Sequence, residues 1–210
     1  MADGQEIKKG RKFDQVLDGA RTVFLRDGFE GASVDDIARE AGVSKATLYS
    51  YFPDKRLLFL EVAKCECGRQ ADEAMEVLDL SAAPEVVLRG AAERIVAFIS
   101  SEFGQRVFRI CVAEGDRFPQ LGPQFYCSGP QLVRDRLASY LRLATERGQL
   151  RIDDIELAAE QFAELCKAGI HDRILYGIGE AGSPADARRT IDGAVEMFMA
   201  RYGARYGVKP

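Results

Sequence analysis

The chain has 210 residues, of which 47% are hydrophobic and 30% charged, and its share of glycine and proline is ordinary for a globular protein. These figures exclude low-complexity sequence, collagen-like repeats and disorder, and they leave ample apolar material for a core. The formal net charge of −4 argues against nucleic-acid binding, because phosphate contacts need local positive charge. A nucleic-acid-binding function therefore needs support from the local sequence.

The apolar runs and the cysteines of the sequence predict the compartment of the protein and the redox state of its thiols. No apolar run approaches the roughly 20 residues that span a bilayer, and the polar N-terminus from Met1 to Lys12 shows no signal peptide. Five cysteines at irregular spacing predict reduced thiols rather than a disulfide framework. We therefore expect a cytoplasmic protein with no membrane association. The single histidine, His171, limits catalytic and metal chemistry, and we expect no metal site and no cofactor.

Helical periodicity begins directly after the basic stretch at residues 8–12. Apolar residues at intervals of three and four predict a first helix that is buried on one side, and Gly28 is expected to end it. The residues of this apolar stripe are Phe13, Val16, Leu17, Ala20, Val23 and Phe24.

Two short helices are predicted next. Ser33 is a suitable N-cap for the second helix, and Gly42 is expected to break it. Ser44 is the N-cap of the third helix, which Pro53 ends because the residue before a proline is driven from helical geometry. Three short helices in about 53 residues, the last two joined by a glycine turn, are typical of a helix-turn-helix.

The predicted helices become longer from Lys55 onward. Pro84 suits the first turn of a helix that Gly104 interrupts, and residues 115–129 are expected to be the least regular part of the chain. One further helix is expected to end near Gly148, another to cover residues 155–170, and a last one to end near Tyr202. The sequence therefore predicts an all-α protein with an N-terminal helix-turn-helix domain and a larger helical domain behind it.

The outer face of the third helix carries a cation, a small residue, a hydroxyl and two phenols, without a carboxylate. Such a face suits a major groove, where donors and methyl groups read base edges. The alternative is the solvated face of a small structural hairpin, but two exposed tyrosines favour a binding partner. The residues of this face are Lys45, Ala46, Thr47, Tyr49 and Tyr51.

Residues 33–55, SVDDIAREAGVSKATLYSYFPDK, resemble the DNA-binding motif of the TetR family of bacterial transcription regulators, T/S-x-x-x-I-A-x-x-A-G-V-S-x-G-T-L-Y-x-Y-F-x-x-K. The chain departs from it at Ala46, where glycine is commoner, and this extra methyl group can alter the preferred operator without abolishing binding. The resemblance implies that Lys45, Thr47 and Tyr49 lie near bases. It also implies phosphate contacts from other residues and a homodimer on a palindromic operator. The implied DNA-binding residues are Ser33, Ser44, Lys45, Ala46, Thr47, Tyr49, Ser50, Tyr51 and Lys55, with Ser33, Ser50, Tyr51 and Lys55 on phosphates.

Residues 111–165, which begin CVAEGDRFPQLGPQFY and end ELAAEQFAEL, resemble the C-terminal domain of AefR-like members of the same family. This implies a helix-turn-helix DNA-binding domain at residues 1–54, with 1–11 as a flexible arm, and a helical effector-binding and dimerisation domain at 55–210. We expect an apolar or aromatic effector among the middle helices, although ordinary core packing is the alternative for every residue named. The candidate pocket residues are Phe98, Phe103, Phe108, Cys111, Phe118, Phe125, Tyr126, Tyr140 and Phe162.

The last two long helices are the predicted dimer surface, because they combine small residues with apolar area. The alternative is that both stripes face the core of their own protomer. The candidate interface residues are Ala159, Ala163, Ile191, Val195, Phe198, Met199 and Tyr202.

Three functions remain open on the sequence. The first is a ligand-responsive DNA-binding regulator, expected to be a repressor that an effector releases. The second is a helical ligand-binding module without DNA binding, and the third is an enzyme, although no motif supplies a nucleophile–base pair or paired acids. Residues 1–56 hold ten basic and ten acidic residues. Their cations are expected at the leading arm and at both ends of the third helix, with acids such as Asp35 elsewhere.

Overall fold

The computed structural model describes residues 10–77, 79–116, 118–119, 121–178 and 182–204. Within these ranges the chain is helical, with one isolated antiparallel bridge between Leu150 and Gly203, and the predicted all-α fold is confirmed. None of the helices described there is both long enough and apolar enough to cross a membrane. The helices are α1 (Arg11–Gly31), α2 (Val34–Glu40), α3 (Lys45–Tyr51), α4 (Lys55–Val77), α5 (Pro84–Ser100), α6 (Glu102–Ala113), α7 (Leu121–Ser128), α8 (Pro130–Glu146), α9 (Ile155–Leu165), α10 (His171–Tyr176) and α11 (Pro184–Tyr202).

The chain forms two compact units, the first made of residues 1–66 and 106–125 and the second of residues 67–105 and 126–210. In the first unit, α1 packs against α2 at a point where Gly19 meets Ala41. A Cβ at position 19 would lie only 2.6 Å from the backbone nitrogen of Ala41, so this crossing requires glycine. The predicted stripe of α1 is buried here, except for the partly exposed Leu17.

The local signals of the helix-turn-helix are confirmed by the backbone. Gly28 leaves helical geometry with φ 70°, and Gly42 has φ +63° in the turn between α2 and α3. The Ser33 hydroxyl accepts from the backbone N–H of Asp36 at 3.0 Å, and the Ser44 hydroxyl accepts from that of Thr47 at 3.1 Å. Each serine therefore satisfies an N–H that the first helical turn leaves without a partner.

The second unit is built around α5, α8, α9 and α11. Helix α11 packs against α5 and α9, and α8 packs against α9. Phe162 of α9 and Phe198 of α11 meet edge to face in the core, with ring centroids 5.2 Å apart. The division into functional domains at residues 54 and 55 stays a prediction.

Three predicted element boundaries are corrected. The break after α5 lies at Ser101 rather than at Gly104, which is inside α6. A side chain at position 104 would bring its Cβ to 2.2 Å from the carbonyl oxygen of Phe98, so this position requires glycine. Part of the stretch expected to be irregular forms α7, where Pro123 falls in a first turn that needs no backbone N–H. The helix predicted over residues 155–170 ends at Leu165, and Gly169, with φ +77°, separates it from α10.

Candidate nucleic-acid interface

Helix α3 has one inward residue and a broad outward face. Leu48 is 1% exposed and anchors the helix in the core of the first unit. The side chains of Ser44, Lys45, Ala46, Tyr49 and Ser50 are exposed, and those of Thr47 and Tyr51 are partly exposed. The residues that the sequence assigned to DNA contact on this helix are thus brought together on one accessible surface.

The serine and threonine hydroxyls of this face have hydrogen-bond partners within α3 and its N-cap. The hydroxyls of Ser44 and Thr47 share a hydrogen bond of 2.9 Å, and the Ser50 hydroxyl donates to the carbonyl oxygen of Thr47 at 2.6 Å. Hydroxyl hydrogens rotate freely, so these groups can exchange such partners for phosphate or base atoms.

Tyr51 is held by α1. Its ring packs edge to face on Phe13, with the centroids 5.7 Å apart. This contact fixes the ring at the C-terminal end of α3.

Lys55 and Ser33 both have structural partners in addition to their predicted phosphate contacts, which stay predictions. The Lys55 ammonium donates to the carbonyl oxygens of Phe29 and Ala32 at 2.8 and 3.0 Å, and it lies 4.4 Å from the centre of the Phe29 ring. The Ser33 hydroxyl donates to the Asp36 carboxylate at 2.5 Å and, together with Arg39, lowers the pKa of Asp36 below its ordinary value.

One expectation about charge placement is wrong. Asp35 was expected away from the cations of α3, but its carboxylate forms an ion pair with the Lys45 ammonium. The two residues are ten positions apart in the chain, and the Gly42 turn places the start of α2 beside the start of α3. Sequence spacing alone carries no signal for this contact.

The candidate pocket residues divide between the two units. Phe108, Cys111, Phe118 and Phe125 belong to the first unit and the other five to the second. Phe162 and Tyr140 are buried in the core of the second unit, whereas Tyr126 is 43% exposed. Burial raises the pKa of Tyr140 to about 12 and that of Cys111 to about 11, so both groups stay protonated at neutral pH.

Most of the candidate dimer residues face their own protomer. Six of the seven are buried in the second unit, and Tyr202 is partly exposed. The surface of α9 and α11 instead has a groove of about 570 Å³, in which Leu157 is 46% and Met197 62% exposed. The residues predicted from hydrophobic periodicity thus lie mainly on the inward stripes of α9 and α11, and the dimer surface stays a prediction. The buried residues are Ala159, Ala163, Ile191, Val195, Phe198 and Met199.

The two capped helices, the glycine turn and the outward face of α3 define a helix-turn-helix DNA-binding protein. Residues 16–62 match the family described as bacterial regulatory proteins, tetR family, and residues 86–204 match the AefR-like transcriptional repressor C-terminal domain. The chain belongs to the TetR family, whose members are transcriptional regulators rather than enzymes.

Solved structures resemble the chain over nearly its whole length. A protein from Mesorhizobium loti MAFF303099, described as a TetR-family transcriptional regulator, is 31% identical, with a TM-score of 0.74 over 94% of this chain and 100% of that one. The Flavonoid-responsive Regulator FrrA is 33% identical, with a TM-score of 0.66 over the same shares.

A curated relative matches a shorter segment of the chain. The biofilm operon negative transcriptional regulator IcaR of Staphylococcus aureus (strain Newman) is 36% identical over 52 residues, which are 25% of this chain. The chain thus matches only 28% of the length of IcaR.

Proposed function

We propose that this regulator is a cytoplasmic repressor that binds a palindromic operator as a homodimer and is released by a small apolar or aromatic effector. The observation that carries the proposal is the outward face of α3, where Lys45, Ala46 and Tyr49 are exposed beside the Ser44 cap. A helix of this kind inserts into the major groove and brings its first residues to base edges. Repression is supported by the similarity to IcaR, a negative regulator.

The homodimer is supported by the outward groove on α9 and α11. Leu157 and Met197 leave apolar area exposed on a face that a second copy of the same two helices would cover. A two-fold dimer carries two copies of α3, and it therefore requires two half-sites related by the same symmetry.

An aromatic effector is supported by the similarity to FrrA, which is described as flavonoid-responsive. Effector binding releases DNA only if the effector prefers the conformation that binds DNA poorly. The individual effector contacts stay predictions from the sequence. Within the second unit, the buried Tyr140 and Phe162 are core residues.

Operator binding is tested by selection of the purified protein on random duplex DNA, followed by sequencing. We expect enrichment of a palindrome with half-site centres about 10 base pairs or a multiple of that apart. Absence of any enriched sequence would reject DNA-binding regulation.

Two substitutions then separate the roles on α3. Tyr51→Phe keeps the ring on Phe13 and removes only the hydroxyl, so it should weaken binding to all sequences alike. Lys45→Gln should relax selection at particular base pairs. Equal losses on all sequences in both variants would contradict this division.

The effector is tested with the selected operator in hand. Flavonoids and saturated fatty acids of similar size are compared for their effect on thermal stability and on operator affinity. We expect a flavonoid to raise the melting temperature and to weaken operator binding, with a smaller effect of the fatty acids. A response to fatty acids alone would overturn the aromatic class.

A further inference from the structure

A carboxylate lies beside the outward face of α3. Asp35 is in the first turn of α2 and Lys45 is the first residue of α3, and their side chains form an ion pair. Both are well exposed, with relative side-chain accessibilities of 61% and 59%. The pair is thus on the surface, within reach of a ligand that approaches α3.

The neighbouring acid, Asp36, has a different role. It accepts from the Ser33 hydroxyl and pairs with Arg39, so it is part of the capping of α2. Within the described part of the chain, Asp35 pairs only with Lys45. The cap of α2 therefore does not use the Asp35 carboxylate, which interacts with Lys45 instead.

An acid at this place changes what Lys45 can bind. A phosphate repels the carboxylate and competes with it for the ammonium, so the pair weakens contacts that are independent of sequence. Base edges behave differently, because the cytosine N4 and adenine N6 amino groups donate to a carboxylate while the ammonium donates to guanine O6 and N7. The paired groups together can thus recognise donors and acceptors on neighbouring bases.

We propose that Asp35 is a specificity-determining residue of the operator site, which holds Lys45 away from phosphates and directs it to base edges. This rests on the operator binding proposed above. This role also gives a reason why residues 1–56 have no net charge, because an acid beside α3 lowers the affinity of the protein for DNA of unrelated sequence.

The test is Asp35→Asn, which keeps the size of the side chain and leaves the Ser33 cap intact. Lys45 is then free to bind a phosphate, so the slope of log affinity for non-specific DNA against log salt concentration should steepen by about 0.9 per protomer. That corresponds to an additional loss of about 3.5-fold per protomer between 50 and 200 mM salt. The selected consensus should lose its preference at one or two base pairs in each half-site.

Glu40→Gln is the matched control, because it removes the same charge at the other end of α2, in a small depression with Gln15 and Asp18 of α1. It should leave the consensus and the salt slope close to those of the wild type. A second comparison introduces Asp35→Asn into Lys45→Gln. The steeper salt slope should then disappear, since there is no ammonium to release.

The outcomes distinguish this inference from the proposed function. If the wild type selects no palindrome, operator binding fails and the role of Asp35 fails with it. If the wild type selects a palindrome and Asp35→Asn matches it in consensus and slope, only the role of Asp35 is overturned. Equal effects of Asp35→Asn and Glu40→Gln, or additive effects of the substitutions at positions 35 and 45, also overturn it.

Discussion

Lys55, the first residue of α4, contacts Phe29 near the end of α1, just before the helix-turn-helix. The Lys55 ammonium donates to the Phe29 carbonyl oxygen at 2.8 Å and lies 4.4 Å from the centre of the Phe29 ring. The same ammonium also donates a hydrogen bond to the carbonyl oxygen of Ala32, two residues before α2 begins. A side chain from the start of α4 therefore fixes the turn that positions α2.

Lys55→Met should lower the free energy of unfolding by about 1.5–3 kcal/mol, because it leaves two carbonyl groups without a charged donor. The measurement is denaturant unfolding without DNA. Lys64→Met is the control on the same helix, where the loss of a local pair with Glu61 should cost less than about 0.5 kcal/mol. Unchanged stability in Lys55→Met would leave phosphate contact as the sole role of Lys55.

Two glycines should respond to alanine in opposite directions. Gly19→Ala drives a Cβ into the backbone of Ala41 and should destabilise the protein by about 1–3 kcal/mol. Gly68 lies within α4, and a Cβ there meets nothing within 4 Å, so Gly68→Ala should stabilise by about 0.5–1 kcal/mol. Thermal unfolding of the two variants compares them directly, and a stabilised Gly19→Ala would contradict the close crossing of α1 and α2.

Met197→Glu should convert the proposed dimer to a monomer, because the interface would bury a carboxylate without a partner. Light scattering at micromolar concentration measures the mass. Val86→Glu is a closely matched control, since Val86 of α5 is 61% exposed and Met197 is 62% exposed. A monomeric wild type, or a Met197→Glu variant that stays dimeric, would exclude this face as the interface.

His171 should make stability depend on pH below neutrality. Burial, with the nearby Lys167 ammonium, lowers the pKa of His171 below its ordinary value of 6.5. The unfolded chain therefore takes up the proton more readily, and stability present above pH 6.5 is lost as the pH falls toward the folded pKa.

The loss is at most about 1.4 kcal/mol per pH unit, and it is measured by unfolding at pH 7.5 and at pH 5.5. His171→Gln removes the single histidine of the chain and should flatten this part of the profile. An identical pH dependence in the variant would assign it to other groups.

The parts of the fold that were predictable are those with local chemical signals. Ser33 and Ser44 were identified as caps, and Gly42 as a turn, because each acts on atoms within a few residues of itself. Glycine and proline in residues 121–128 predict a loop, but these residues form α7 because the first turn of a helix tolerates both.

Periodicity and capping are properties of neighbouring residues, so they are enough to predict the helical fold, the helix-turn-helix and the residues that α3 exposes. Which surface covers each apolar stripe depends instead on how the helices pack against one another. Periodicity identifies the apolar face of α11, but packing against α5 and α9 buries Ile191 and Val195 and leaves Met197 outside. The pairing of Lys45 with Asp35 was likewise decided by the turn at Gly42, since an ion pair depends on distances in space and not on distances along the chain.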